Sequence, residues 1–252
     1  MKTNIYFVGA GPGDPELITV KGRKVLDSAD AVIYAGSLVN PELLSGIRAE
    51  IYDSASMDLD EIIEIMKKFH TMGKTVARLQ TGDTSFYSAI SEQIERLRAL
   101  NISYEVVPGV SSAMAGAAVL GQELTIPEIS QTVIFTRMEG RTPVPASERL
   151  SALAAHRATM VIFLSVGMIE KVRDELLQGY PEDTPVVIIE KASWPAQKVV
   201  RGVLKDLAEL VKDAGITKTA LIYVGESLRA SAASLGKESK LYDKDFKHEF
   251  RK

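Results

Sequence analysis

Gly9-Ala10-Gly11-Pro12-Gly13-Asp14-Pro15 follows directly on the apolar run Ile5-Tyr6-Phe7-Val8. A buried strand feeding a glycine-rich turn is where an α/β sheet takes a nucleotide-like ligand, because glycine lets the backbone turn sharply and approach that ligand closely. The pattern is not the dinucleotide fingerprint. That needs Gly-x-Gly-x-x-Gly, and Asp14 holds the last glycine position. It also needs a ribose-binding carboxylate about 20 residues on, at the end of the next strand. Here Ala31-Val32-Ile33-Tyr34 runs into Ala35-Gly36-Ser37. An NAD-dependent oxidoreductase is disfavoured.

Two further glycine-bearing turns follow strands, Thr81-Gly82-Asp83 and Pro108–Ser112. Any one of them is accounted for by ordinary turn chemistry. In a parallel sheet the strand C-termini share one edge, so the three together are expected to converge on one site. In the second half, the segment Thr136–Pro145 carries Arg137 and Arg141. Their guanidinium forks suit carboxylates; the alternative is a solvated loop.

Acid–base and metal machinery is sparse. His70, His156 and His248 do not cluster and read as structural or surface residues. No metal-ligand spacing appears, and the chain has no cysteine. Ser111 and Ser112 lack the glycine-framed nucleophile elbow. No catalytic acid or base is assigned. Methyl transfer from a sulfonium to an electron-rich carbon suits this inventory, because the leaving group is neutral and alignment is the main task.

Elements must hold these residues in place. Strands are expected at 5–8, 31–34, 50–52, 75–79 and 103–107, alternating with helices at 21–28, 41–45, 59–72, 85–100 and 111–120. Asn40 precedes Pro41 as a helix N-cap. After 121–127 the second half restarts, with strands at 132–136, 159–165, 185–190, 198–205 and 220–224 and helices at 148–156, 168–179 and 207–214. Alternation of this kind implies parallel sheets covered by helices, here as two α/β domains, 1–120 and 121–252. The tail 234–252 is charged and reads as loose. At 252 residues and 46% hydrophobic, the chain has ample core material. No apolar run approaches the roughly 20 residues of a bilayer span, and the N-terminus enters a strand without a signal peptide. A cytoplasmic protein is expected. A net charge of −3 and a pI near 5.8 argue against a dedicated nucleic-acid binder.

Residues 7–19, from Phe7-Val8-Gly9 to Leu17-Ile18-Thr19, resemble the opening motif of the tetrapyrrole methylases that use S-adenosylmethionine. Thr81–Tyr87 and Val106–Ser112 resemble the family's second and third motifs. Within the family, Tyr34–Val39, Leu124–Glu128, Gln131–Pro145 and Lys191–Pro195 are similar to the precorrin-4 C11-methyltransferases of cobalamin synthesis. The resemblance runs over residues 4–228. It implies two α/β domains with the active site in a cleft between them, and a homodimer. It implies S-adenosylmethionine held by Pro12, Thr81, Gly82, Asp83, Phe86, Ser111, Ser112, Leu164 and Ala192, with S-adenosylhomocysteine as product. The implied substrate is a tetrapyrrole, precorrin-4 or its cobalt complex, methylated at C-11. Its peripheral carboxylates are the groups Arg137 and Arg141 would pair with.

The chain departs from the family pattern in places. Thr84 and Ser88 replace a proline and a glycine of the second motif, and Gln80 stands where a histidine is common. Ala35 occupies the place of an aspartate found in the uroporphyrinogen methylases, which weighs against that substrate. The nearest alternative is a methylase of the same fold acting on another corrin carbon, a ribosomal RNA ribose or a diphthamide precursor. A non-catalytic nucleotide-binding module is the alternative of a different class.

Overall fold

The computed structural model describes residues 4–229. His248, the tail 234–252 and Met1–Thr3 lie outside the described residues. The described chain forms two compact units, one of 4–115 with 193–195, the other of 116–192 with 196–229.

In the first unit five parallel strands form one sheet: β1 (Ile5–Gly9), β2 (Ala31–Tyr34), β3 (Glu50–Asp53), β4 (Val76–Gln80) and β5 (Tyr104–Val107). Their order is β3-β2-β4-β1-β5. Strand side chains alternate between faces, and both faces are apolar. Ile5, Phe7, Ile33 and Val76 pack under Ile62, Met66 and Phe69 of helix α2 (Leu59–Thr71) and Leu97 of helix α3 (Ile90–Ala99). Val8, Val32, Ala77 and Leu79 pack with Leu26 of helix α1 (Val20–Ser28) on the other face. Helix α2 starts on a full capping box between Asp58 and Glu61. Helix α4 (Ser112–Leu120) follows β5.

The helix expected over 85–100 begins only at Ile90. Asp83 Oδ1 accepts from the Ser85 amide, and Ser88 Oγ donates to the carbonyls of Asp83 and Phe86. Tyr87 and Ala89 take positive φ, 54° and 49°. These local side-chain bonds compete with helix, which is why 84–89 is a turn segment. The helix expected at 41–45 is a short 3-10 turn, Pro41–Leu44, with Asn40 Oδ1 capping the Glu42 amide.

In the second unit, β6 (Val133–Arg137), β7 (Thr159–Phe163), β8 (Pro185–Glu190), β9 (Lys198–Val203) and β10 (Ala220–Val224) lie in the order β6-β7-β10-β8-β9. Helices α5 (Leu150–Ala154), α6 (Ile169–Leu176) and α7 (Leu207–Asp213) bury Leu150, Val172, Leu176, Leu207 and Val211 against Met160, Ile162, Ile188 and Ile222. The expected parallel sheet is corrected here. Only β6 and β7 pair in parallel, and the other three pairings are antiparallel. The segment 191–197 between β8 and β9 is shorter than the dozen or so residues a parallel crossover needs, so the chain reverses there as a hairpin.

Candidate cofactor site

β1 lies between β4 and β5, so the turns that leave these three strands meet at one edge. The first and second are bonded backbone to backbone: Gly11 N donates to Gly82 O at 3.2 Å, and Gly82 N donates to Gly11 O at 2.8 Å. The second and third are joined by Asp83, whose Oδ2 accepts from Gly109 N at 2.8 Å. Gly9, Gly82 and Gly109 pack so closely that no side chain fits between them. A Cβ on Gly9 would stand 2.5 Å from Gly109 Cα and 2.7 Å from Gly82 O. Gly11 and Gly82 have φ of +78° and +68°, a region glycine adopts freely.

The first turn is also clamped from outside its own strand. Trp194 Nε1 donates to Pro12 O at 2.7 Å, and its indole lies against Gly13, where any side chain would collide with the ring. Asn40 Nδ2 donates to Gly13 O at 2.8 Å, while Asp14 N donates to Ser193 Oγ at 3.0 Å. Pro12 itself is buried.

The remaining expected residues of this unit surround the same edge. Thr81 Oγ1 donates to Leu38 O at 3.0 Å. Ser111 is buried, and its Oγ accepts from Ala113 N at the start of α4. The Ser112 amide stands 3.6 Å from the point a Gly82 Cβ would occupy, so open backbone of the second turn faces the beginning of α4. Phe86 and Tyr87 are exposed. For Asp83, burial raises the carboxyl pKa, but the hydrogen bonds from Gly109 and Ser85 outweigh it and hold it below its ordinary 3.8. Asp83 is an ionised tie between turns, with both oxygens already accepting.

The other expected residues belong to the second unit. Leu164, just past β7, is 70% exposed and has φ of 55°. An exposed leucine held in the left-handed region is a strained position of the kind that clusters at functional sites. Ala192 is buried, between Lys191 and Ser193, which both have positive φ. Arg137 ends β6, and its guanidinium donates to the carbonyls of Met138, Thr142 and Pro143 at 2.9–3.3 Å. Its fork is thereby used to fold its own loop. Arg141 is exposed in that loop. A cavity of about 140 Å³ is lined by Arg137 and Arg149 together with Glu139, Glu148 and Glu175, a lining of mixed charge.

Asn40 was legible only as a cap, and Ser193 and Trp194 only as part of a motif. Their grip on the first turn depends on contacts over long sequence separations. Among the described residues no grouping of His, Asp or Glu could hold a metal ion, and no helix is long and apolar enough to cross a membrane. His70 Nδ1 is 2.6 Å from Asn4 Oδ1, and His156 is exposed.

Glycine-rich turns gathered at the C-terminal edge of a parallel sheet define an α/β protein built to receive a nucleotide-like ligand at its strand ends. More specifically, the model of the Tetrapyrrole (Corrin/Porphyrin) Methylases matches residues 4–208, and the chain belongs to that family. It is 57% identical to the Cobalt-precorrin-4 C(11)-methyltransferase of Methanocaldococcus jannaschii, covering 98% of this chain and 96% of that one. It is 48% identical to the Precorrin-4 C(11)-methyltransferase of Pseudomonas aeruginosa, covering 98% of each. Among solved structures, a cobalt precorrin-4 methyltransferase of cobalamin biosynthesis is similar, with a TM-score of 0.87 and 47% identity over 89% of this chain and 95% of that one. A uroporphyrin-III C-methyl transferase from Thermus thermophilus, solved with S-adenosylhomocysteine, has a TM-score of 0.76 at 29% identity over 90% of this chain and 99% of that one.

Proposed function

We propose that this chain is an S-adenosylmethionine-dependent C-methyltransferase that methylates C-11 of cobalt-precorrin-4, or of the metal-free precorrin-4, in cobalamin biosynthesis. The observation that carries this reading is the junction of Gly9, Gly82 and Gly109, in a chain 57% identical to a protein named for that reaction. The residues present fit such a cofactor: the junction is bare backbone, α4 begins beside Gly82, and Phe86 exposes an aromatic face.

S-adenosylmethionine, when bound, supplies a methyl group on a positive sulfonium, so the departing thioether is neutral. Pro12, Thr81, Gly82, Asp83, Phe86, Ser111 and Ser112 would hold it. Leu164 and Ala192 are proposed contacts on the resemblance, with the strained φ of Leu164 in support. The chain's own work is orientation. Asp83 fixes the spacing of two turns rather than moving a proton, and Trp194 fixes the backbone at Pro12. Ala35, Gly36 and the segment to Val39 bear no carboxylate, which suits an acceptor carbon that is already electron-rich. Arg141 is the better candidate for a substrate carboxylate, because Arg137 is engaged by its own loop.

On this reading the enzyme is a cytoplasmic homodimer. Calorimetric titration with S-adenosylhomocysteine tests the cofactor assignment: one site per chain is expected, and no binding overturns it. Incubation with metal-free and cobalt-loaded precorrin-4, read by mass, tells which form gains the methyl group.

A further inference from the structure

Arg78, in the middle of β4, is 5% exposed. Among the described residues no carboxylate forms an ion pair with it. Burial lowers its pKa to about 10, well above neutrality, so the charge stays. A buried cation without a counter-charge is costly and is kept only where its hydrogen bonds are needed.

Those bonds form a chain. Arg78 Nε donates to Gln93 Oε1 at 3.2 Å, and Gln93 Nε2 donates to Ala89 O at 3.0 Å. Arg78 Nη1 donates to Ser54 Oγ at 3.0 Å, and Ser54 Oγ donates to Tyr34 O at 2.8 Å. One end is therefore the turn segment Thr84–Ala89 that follows Thr81–Asp83, with positive φ at Tyr87 and Ala89. The other is the last residue of β2, where the segment 35–39 begins. β2 and β4 are neighbours, so both tethered segments border the Thr81–Asp83 turn. Gln80 lies two residues beyond Arg78 on the same strand face. It is also 5% exposed, and its Nε2 has no hydrogen-bond partner, so Gln80 does not share this work.

We infer that Arg78 is a positioning residue for methyl transfer, acting through Ser54 and Gln93 to set the segments 35–39 and 84–89 on either side of the Thr81–Asp83 turn. This rests on the methyltransferase reading above. The Gly9–Gly82–Gly109 junction does not involve Arg78, whereas 84–89 carries Phe86, so the effect falls chiefly on acceptor alignment and to a lesser degree on cofactor affinity. A 1 Å misplacement of a reacting carbon is enough to cost a large part of the rate.

The test uses the full chain with Ser54→Ala, Ser54→Thr and Arg78→Lys. Ser54 is partly exposed, so its variants fold even where Arg78→Lys does not. Ser54→Ala is expected to lower kcat about tenfold, with the S-adenosylhomocysteine Kd rising by a smaller factor. Hydrogen exchange of the amides in 35–39 and 84–89 should rise, and Ser54→Thr, which keeps the hydroxyl, should restore both. Wild-type kcat and unchanged exchange in Ser54→Ala would overturn the inference, as would a loss that Ser54→Thr does not repair. If the wild-type protein neither binds S-adenosylhomocysteine nor transfers a methyl group, the functional reading fails. Exchange in the two segments then decides the positioning claim by itself.

Discussion

A methyl group at position 109 would sit against Gly82 O and 2.7 Å from Gly9 Cα, and both neighbours are backbone. Gly109→Ala must therefore push the turns apart. Overpacking of this kind costs about 1–3 kcal/mol. We expect a lower Tm and an S-adenosylhomocysteine affinity reduced by more than tenfold; a folded variant with wild-type affinity would separate the junction from the cofactor. Trp194→Phe keeps a ring against Gly13 but removes the donor to Pro12 O. One hydrogen bond of this type contributes about 1 kcal/mol to stability, so Tm should fall by about 2–4 °C, and the freed backbone at Pro12 should weaken S-adenosylhomocysteine binding. Asp83 gives a pH signature. Its folded pKa lies below the unfolded value, so its contribution to stability is complete above that value and is lost as pH falls through the folded one. Melting curves taken below about pH 4 should show wild type losing stability faster than Asp83→Asn, so that their Tm values converge in acid. Parallel curves would show that Asp83 is not tied as described.

The loop after β6 and the start of α3 show at the level of elements what the sequence carried and what it did not. The helix expected over 85–100 does not form in its first turn, because Asp83, Ser85 and Ser88 bond locally and Tyr87 and Ala89 turn left-handed. Serines after an aspartate were visible; which backbone groups they take is a matter of three-dimensional arrangement. Arg137 and Arg141 look equivalent in sequence, and folding separates them, because three carbonyls of the loop close on the first. Arg137→Ala should therefore loosen 138–143 and lower Tm, whereas Arg141→Ala should raise the substrate KM and leave Tm unchanged. Thermal melts with steady-state kinetics on both variants check this, and a reversed pattern would return the substrate role to Arg137.

For the molecule as a whole, the strands and the meeting of the three turns were readable because glycine after a buried strand has few other uses. The direction of β9 and β10 was not read, although the short gap 191–197 carried the signal for a hairpin. The contacts of Trp194, Asn40 and Arg78 stayed hidden because they join residues far apart in sequence, and no local period records them. What the assembled residues amount to is a scaffold that aligns a methyl donor with one ring carbon and supplies little acid–base chemistry of its own. The measurement that bears on this most directly is incubation of the protein with precorrin-4, with and without cobalt, and S-adenosylmethionine carrying a ¹³C-labelled methyl group, followed by NMR of the product. A single labelled methyl at C-11 is expected. Label at any other carbon, or no transfer to either form, would contradict it.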